Sequence, residues 1–309
     1  MADRLQDEPL LIFDGACGTN LQEMEIPQSA WGNCEGCNEY LNLTAPDIIT
    51  KLHAAFIDAG SHIIETNTFG ATRIVLAEYG LEDQMEQINA AAVANAKAAI
   101  NGRSGRYIAG SLGPTTKLVS LGHIDQETLF KNYEEQTAVL LESGVDCIII
   151  ETCQDLLQVK TAVLAASDAM KAAGREIPIM VSVTIEQTGT MLVGSDIGAI
   201  CTTLEPLPVF SLGLNCATGP KDMESHIRYL SQHWPQRISC IPNQGLPEVV
   251  NGKTVYQLEP EQYTAHMKAF VEEHGVSIVG GCCGTTPEHI RLLVETLATA
   301  TPAPRSVIS

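Results

Sequence analysis

Eight short apolar runs rich in strand-forming residues recur along the sequence: LLIFDG, HIIETN, YIAGSLG, CIIIET, IPIMVSV, FSLGLNC, ISCIPNQ and SIVGGCCG. Segments with helical periodicity lie between them, and several end at a glycine just before the next run. Gly60, Gly144, Gly174 and Gly275 hold that place and fit the left-handed position past a helix C-terminus. Thr44, three residues before Asp47, and Thr286, followed by Pro287, read as helix starts. Strands and helices alternating in this way predict an α/β protein, a single-domain (β/α)8 TIM barrel, with a doubly wound open sheet as the alternative. The barrel is expected over residues 1–300, and the Pro-, Thr- and Ser-rich stretch 301–309 reads as a linker or frayed C-terminal tail.

A chain of 309 residues can close such a barrel as one unit. With 45% hydrophobic but only 5% aromatic residues, its core must be built mainly from Ala, Val, Ile and Leu. Thirty-seven acidic against 18 basic residues give a formal charge of −19, whose field repels phosphate backbones and anionic lipid. Nucleic acid and membrane are therefore not expected partners. The opening MADRLQDEPL lacks the pattern of a secretory leader, and no apolar run approaches the ~18 residues that span a bilayer. A cytoplasmic location is expected, with the ten cysteines reduced.

Three connections exceed the usual length: Cys17–Leu43, Glu186–Pro208 and Gln244–Glu259. All three follow strands and would lie on the face where barrels place their chemistry. The last contains VVNGKTVY, whose Asn251-Gly252 pair signals a tight hairpin.

The residues delivered at strand ends are the candidates for chemistry. Asp14 follows the first strand, Glu65, Thr66 and Asn67 the second, and Ser111 the third; Glu151 follows the fourth. Thr184 and Glu186, Asn215 and Cys216, Asn243 and Gln244, and finally Cys282 and Cys283 complete the ring. No strand ends in lysine, which weakens a Schiff-base aldolase reading.

In GGCCG two thiols are adjacent, and regular secondary structure would point them apart. Glycine lets the backbone turn so that both can face one target. Strands six and eight are two places apart around a closed barrel, so Cys216, Cys282 and Cys283 can converge. Three thiolates with a fourth position open are a catalytic zinc arrangement; the alternative is a set of buried or disulfide-capable thiols. Cys34 and Cys37 have C-x-x-C spacing without a second pair or a thioredoxin pattern, and read as loop cysteines without metal. Cys147, Cys153, Cys201 and Cys240 lie in or beside apolar runs and read as packing. Asp14 and Glu151 are either network carboxylates or a pair that holds an ammonium group.

Taken together, DGACGT, ETNTFGAT, GSLGPTT, ETCQD, GLNCATGP and GGCCGTTPEHI resemble the homocysteine S-methyltransferase family over nearly the whole chain, from Asp14 to Ile290. GCNEYLNLTAPDII and IIETNTFGATRIVLAEYG are most similar to its cobalamin-dependent methionine synthase branch, at the N-terminal homocysteine-binding module. The resemblance implies a (β/α)8 barrel that transfers a methyl group to homocysteine to give methionine, with Zn²⁺ held by Cys216, Cys282 and Cys283. It implies that Asp14 and Glu151 bind the substrate ammonium and that backbone around Cys17, Gly18 and Thr19 faces its carboxylate. Asn67 and Ser111 are further substrate-binding candidates. Cys17 departs from the larger apolar residue common in the family. The implied donor is methylcobalamin on a separate corrinoid-binding domain or protein. Betaine or S-methylmethionine as donor, and a non-catalytic zinc-bearing module of a larger assembly, are the alternatives.

Overall fold

The computed structural model describes residues 2–250, 253–256 and 258–307. All eight apolar runs form parallel strands: β1 (Leu11–Ile12), β2 (Ile63–Glu65), β3 (Tyr107–Leu112), β4 (Cys147–Cys153), β5 (Ile179–Val183), β6 (Ser211–Asn215), β7 (Arg237–Ile241) and, after a small hairpin, β10 (Ile278–Val279). The hairpin pairs β8 (Pro247–Val250) with β9 (Lys253–Tyr256) antiparallel, in a register that sets Val250 opposite Lys253. Its expected turn residues, Asn251 and Gly252, lie outside the described residues. The sheet runs β1-β10-β7-β6-β5-β4-β3-β2, and a parallel bridge from Phe13 to Ile63 joins its two edges. The barrel is thereby closed.

Alternation along the strands divides the core into two layers. Leu11, Phe13, Ile63, Tyr107, Ala109, Cys147, Ile149, Met180 and Ile278 pack together inside the barrel, with Leu5 among them. Ile12, Ile64, Ile108, Ile148, Ile150, Val181 and Leu212 face outward into the helix layer. The helix Leu156–Ala173 meets that layer with Ala162, Ala165, Ala166 and Ala169, small residues that let it lie close to the sheet. The four predicted glycines all end helices in the left-handed region: Gly60 at φ 109°, Gly144 at 90°, Gly174 at 60° and Gly275 at 66°.

Thr286 caps the helix Pro287–Leu297, but Thr44 caps nothing. The hydroxyl of Thr44 donates to Tyr40 O within the short helix Leu41–Thr44, and the next helix, Pro46–Ala59, starts from Ala45 with proline at its first position. The span Glu186–Pro208 is also less open than its sequence suggests, since it contains the barrel helix Ile197–Leu204. Cys17–Leu43 is folded into short helices at Gly18–Glu23 and Gln28–Trp31 and a 3-10 turn at Asn38–Tyr40. At the other end of the barrel, Arg237 donates to Leu5 O and Glu8 O, while Arg305 donates to Trp234 O (2.6 Å) and to Gln236 O. Among the described residues no helix is long and apolar enough to cross a membrane.

Two glycines test different constraints. At Gly174 nothing lies within 4 Å of an added Cβ, so only the left-handed backbone penalises a side chain; at Gly213 a Cβ would sit 1.9 Å from Ser239 O of the neighbouring strand. Gly174→Ala should lower unfolding free energy by about 1–2 kcal/mol, and Gly213→Ala by about 3 kcal/mol or more. Urea titration of both variants checks the order, and a Gly213→Ala protein as stable as Gly174→Ala would refute the close approach.

Candidate active site

The chain leaves β10 at Val279 and at once makes a tight turn. Thr285 N donates to Cys282 O (3.1 Å) and Gly284 takes φ 82°, which puts Cys282 and Cys283 at the first two corners of a four-residue turn. Adjacent thiols that a strand would separate are thereby turned to one side. From the end of β6 comes Cys216, itself left-handed at φ 60° and followed by Ala217 at 55°. Non-glycine residues in that region mark sites whose geometry the surroundings impose. The sulfurs of Cys216, Cys282 and Cys283 lie within 4.8 Å of one another, and among the described residues no other group of three His, Cys, Asp or Glu side chains converges in this way.

Hydrogen bonds from Cys216 and Cys282 pull the Cys283 thiol down to about 3, and its neighbours rise, Cys216 to about 11.

Beside the sulfurs lies a carboxylate cluster. Asp14 Oδ2 accepts from Glu65 N (3.1 Å), and Ser111 Oγ donates to Glu151 Oε1 (2.6 Å). Glu65 and Glu151 share a hydrogen bond. Asn215 sits between the two halves of the site: Nδ2 donates to Glu151 Oε2 (3.3 Å) and to Cys282 Sγ (3.9 Å), while Oδ1 accepts from Ser182 Oγ (2.9 Å). A bulge in β4 with Thr152 at φ 56° aims the end of that strand into the cavity. Burial raises the pKa of Asp14, Glu65 and Glu151, and their mutual repulsion adds to this at Asp14 and Glu65.

The cavity measures about 350 Å³ and opens at the C-terminal ends of the strands. Its wall includes Asp14, Cys17, Gly18, Thr19, Asn67, Ser111, Glu151, Cys216, Cys282 and Cys283, whereas the strand-end residues Thr184, Glu186, Asn243 and Gln244 do not line it. Thr19 Oγ1 accepts from Gly284 N (3.2 Å), and Cys17 Sγ donates to Asn67 Oδ1 (3.6 Å). The Cys17 thiol is held neutral by burial and then by the nearby Glu39 carboxylate. No Lys or Arg lines the cavity among the described residues.

Cys34 and Cys37 do not join the site. Both are buried in a separate apolar cluster with Leu76, Leu81 and Met85, where Cys37 Sγ donates to Glu39 Oε2 (3.8 Å). Glu65 and Asn215 were visible as strand ends but not as members of the cluster, because cross-barrel contacts bring them there. Nothing in the local pattern marked Glu39, which also lines the cavity and accepts from Gly70 N (2.7 Å).

A closed parallel barrel with three convergent thiols and a carboxylate cluster at its mouth defines the class of (β/α)8 protein to which the chain is similar in fold. Residues 11–297 match the homocysteine S-methyltransferase family, and the chain belongs to it. It is 43% identical over 94% of its length to the methionine synthases of Mycobacterium leprae (strain TN) and Mycobacterium tuberculosis (strain ATCC 25618 / H37Rv). It spans about a quarter of those proteins, 24% and 25%. In fold it is similar to the metallated form of the homocysteine methyltransferase MmuM from Escherichia coli, with a TM-score of 0.75 at 21% identity, covering 94% of this chain and 97% of that one.

The raised carboxyls make stability depend on pH in a defined direction. The folded protein keeps protons that the unfolded chain releases above the ordinary values of 3.8 for Asp14 and 4.5 for Glu65. Their contribution is therefore fully present below those values and is lost as pH rises toward the raised ones. Glu65→Gln should be more stable than the parent at about pH 7.5, with the difference shrinking toward about pH 5. Urea midpoints across that range decide it, and a difference that does not change with pH would count against the repulsive cluster.

Proposed function

We propose that the chain transfers a methyl group to the thiol of homocysteine, giving methionine, on Zn²⁺ held by Cys216, Cys282 and Cys283. The convergence of three sulfurs within 4.8 Å beside an unneutralised acid cluster supports this reading above all. Tetrahedral Zn–S bonds of about 2.3 Å set sulfurs about 3.8 Å apart, which this spacing accommodates. The donor set is soft, as zinc prefers over magnesium or calcium. Family membership and the mycobacterial methionine synthases support homocysteine as the acceptor.

The acceptor thiol must react as thiolate, and with a free pKa near 8.5 only ~3% is ionised at pH 7. Zn²⁺ at the three sulfurs would supply that deprotonation. Three cysteine thiolates leave the centre with net charge −1, so the chain keeps the fourth sulfur electron-rich where histidines would withdraw charge. Asp14 and Glu151 hold the ammonium, backbone at Cys17, Gly18 and Thr19 faces the carboxylate, and Asn67 and Ser111 steady the surrounding wall. No general base is required of the acids, which are free to bind and orient.

For the donor we propose methylcobalamin carried by a corrinoid-binding domain or protein. A corrinoid cannot enter a cavity of about 350 Å³ and must be presented at its mouth. The loops there expose apolar side chains suited to docking: Leu121 (59% exposed), Leu192 (58%) and Val249 (79%). Fixing donor and acceptor in line removes orientational entropy from the transfer.

Two experiments test the reading. Replacing Cys216, Cys282 or Cys283 by alanine should remove most bound zinc and activity, whereas Cys34→Ala with Cys37→Ala should keep both. Zinc analysis showing the reverse would discard the ligand assignment. With homocysteine, the zinc-loaded chain should form methionine slowly from free methylcobalamin and much faster from its protein-borne form. Rapid turnover with betaine or S-methylmethionine and none with methylcobalamin would overturn the donor, and no turnover with any of them would favour a non-catalytic zinc-bearing module.

A further inference from the structure

Asn215 ends β6 with its side chain buried between the two halves of the cavity. Its carbonyl end is held twice: Oδ1 accepts from Thr152 N (3.0 Å) and from Ser182 Oγ (2.9 Å). A backbone N–H can only donate, so the orientation of the amide is fixed and Nδ2 is the donor end. Three acceptors stand around that nitrogen: Thr152 Oγ1 at 2.6 Å, Glu151 Oε2 at 3.3 Å and Cys282 Sγ at 3.9 Å. An amide nitrogen carries only two hydrogens. The short contact to Thr152 takes one, and the other is divided between a carboxylate and a sulfur. The carboxylate contact is accordingly longer than the limit of about 3.2 Å for a well-made N–H···O bond. Glu151 Oε1 is already engaged by Ser111 Oγ (2.6 Å), so a ligand arriving at this carboxylate meets Oε2, where Asn215 Nδ2 and Thr152 Oγ1 each stand at 3.3 Å. The backbone on both sides is committed: Thr152 and Cys216 are held in the left-handed region at φ 56° and 60°. What can move between them is the shared hydrogen.

We propose that Asn215 is a positioning residue that links the two halves of the site: an ammonium on Glu151 Oε2 displaces the shared Nδ2 hydrogen, which turns to Cys282 Sγ. This rests on the ammonium-binding role of Glu151 and the metal-binding role of Cys282 proposed above. A charged donor binds a carboxylate more strongly than a neutral amide does, which sets the direction of the exchange. The sulfur then gains a hydrogen bond that lowers the energy of its lone pair. The amino end of the acceptor is thus registered at a metal ligand without movement of either strand.

Replacing zinc with Co²⁺ makes the thiolates visible through their charge-transfer absorption, and 2-aminobutyrate carries the ammonium and carboxylate of homocysteine without its sulfur. In the cobalt-loaded parent, saturating 2-aminobutyrate should move the thiolate-to-metal band to higher energy, whereas butyrate, which lacks the ammonium, should not. Asn215→Asp keeps an acceptor for Thr152 N and Ser182 Oγ but loses the two-hydrogen donor, and in it the shift should be lost while calorimetry still detects 2-aminobutyrate binding. Asn215→Ser, which also lacks the amide donor, should behave in the same way. A parent band that stays in place with 2-aminobutyrate bound overturns the inference, since a purely structural asparagine would leave it there. An equal shift in parent and variants also overturns it, by tracing the effect to the field of the ammonium alone. If the parent binds no 2-aminobutyrate, or no Co²⁺, the inference falls together with the corresponding role proposed above. A shift confined to the parent, in a protein that transfers no methyl groups, supports the inference and refutes only the proposed reaction.

Discussion

The turn from Cys282 to Thr285 fixes far more than two sulfurs. Thr285 Oγ1 donates to Cys282 O (2.7 Å) and accepts from Ala16 N (3.2 Å), so the loop after β1 hangs on the same side chain. Gly281 N donates to Asp14 O (3.0 Å), and Gly284 N reaches Thr19 across the seam. Space is as tight as the hydrogen bonding: a Cβ at Gly281 would come within 2.3 Å of Thr285 Oγ1. One short segment therefore places two of the three sulfurs, the first acid and the backbone of the Cys17–Thr19 region together. Loss of that turn would disperse the whole mouth of the barrel.

Around this turn the cavity separates two kinds of negative charge. The three sulfurs stand together on one side, and on the other the carboxylates form a group in which Glu65 lies against Glu151. Asn215 touches both groups and can donate to each at once. On the reading proposed above, an ammonium would offset the carboxylates and a metal cation the sulfurs, so the two halves of the cavity call for different positive partners.

Most of the fold was legible because its signals are local. Every strand of the barrel was an apolar run, and each helix end marked by Gly60, Gly144, Gly174 or Gly275 required a left-handed residue. Thr44 misled because its hydroxyl serves the helical turn behind it, a competition the sequence does not resolve. The candidate site was legible where a residue follows its strand directly, as at Asp14 and Glu151. Glu65 was harder, since its part in the cluster depends on the lateral register of β1 against β2. The seating of the hairpin was out of reach: the pattern around Asn251 announced a hairpin, but its root is held by Asn243 and Gln244 gripping a segment 40 residues away.

The two arginines at the base of the barrel have a geometric consequence for assembly. Arg237 and Arg305 hold residues 5–8 and the 303–307 segment at the N-terminal ends of the strands, opposite the cavity. A helix such as Pro46–Ala59, with 14 residues, covers about 21 Å of the barrel's height. Any polypeptide continuing from residue 307 would have to climb that wall before reaching the mouth, which takes on the order of ten extended residues once the curvature of the rim is included. A covalently attached neighbour would thus operate on a leash, able to visit the opening and withdraw, and the length of that leash would govern how often it calls.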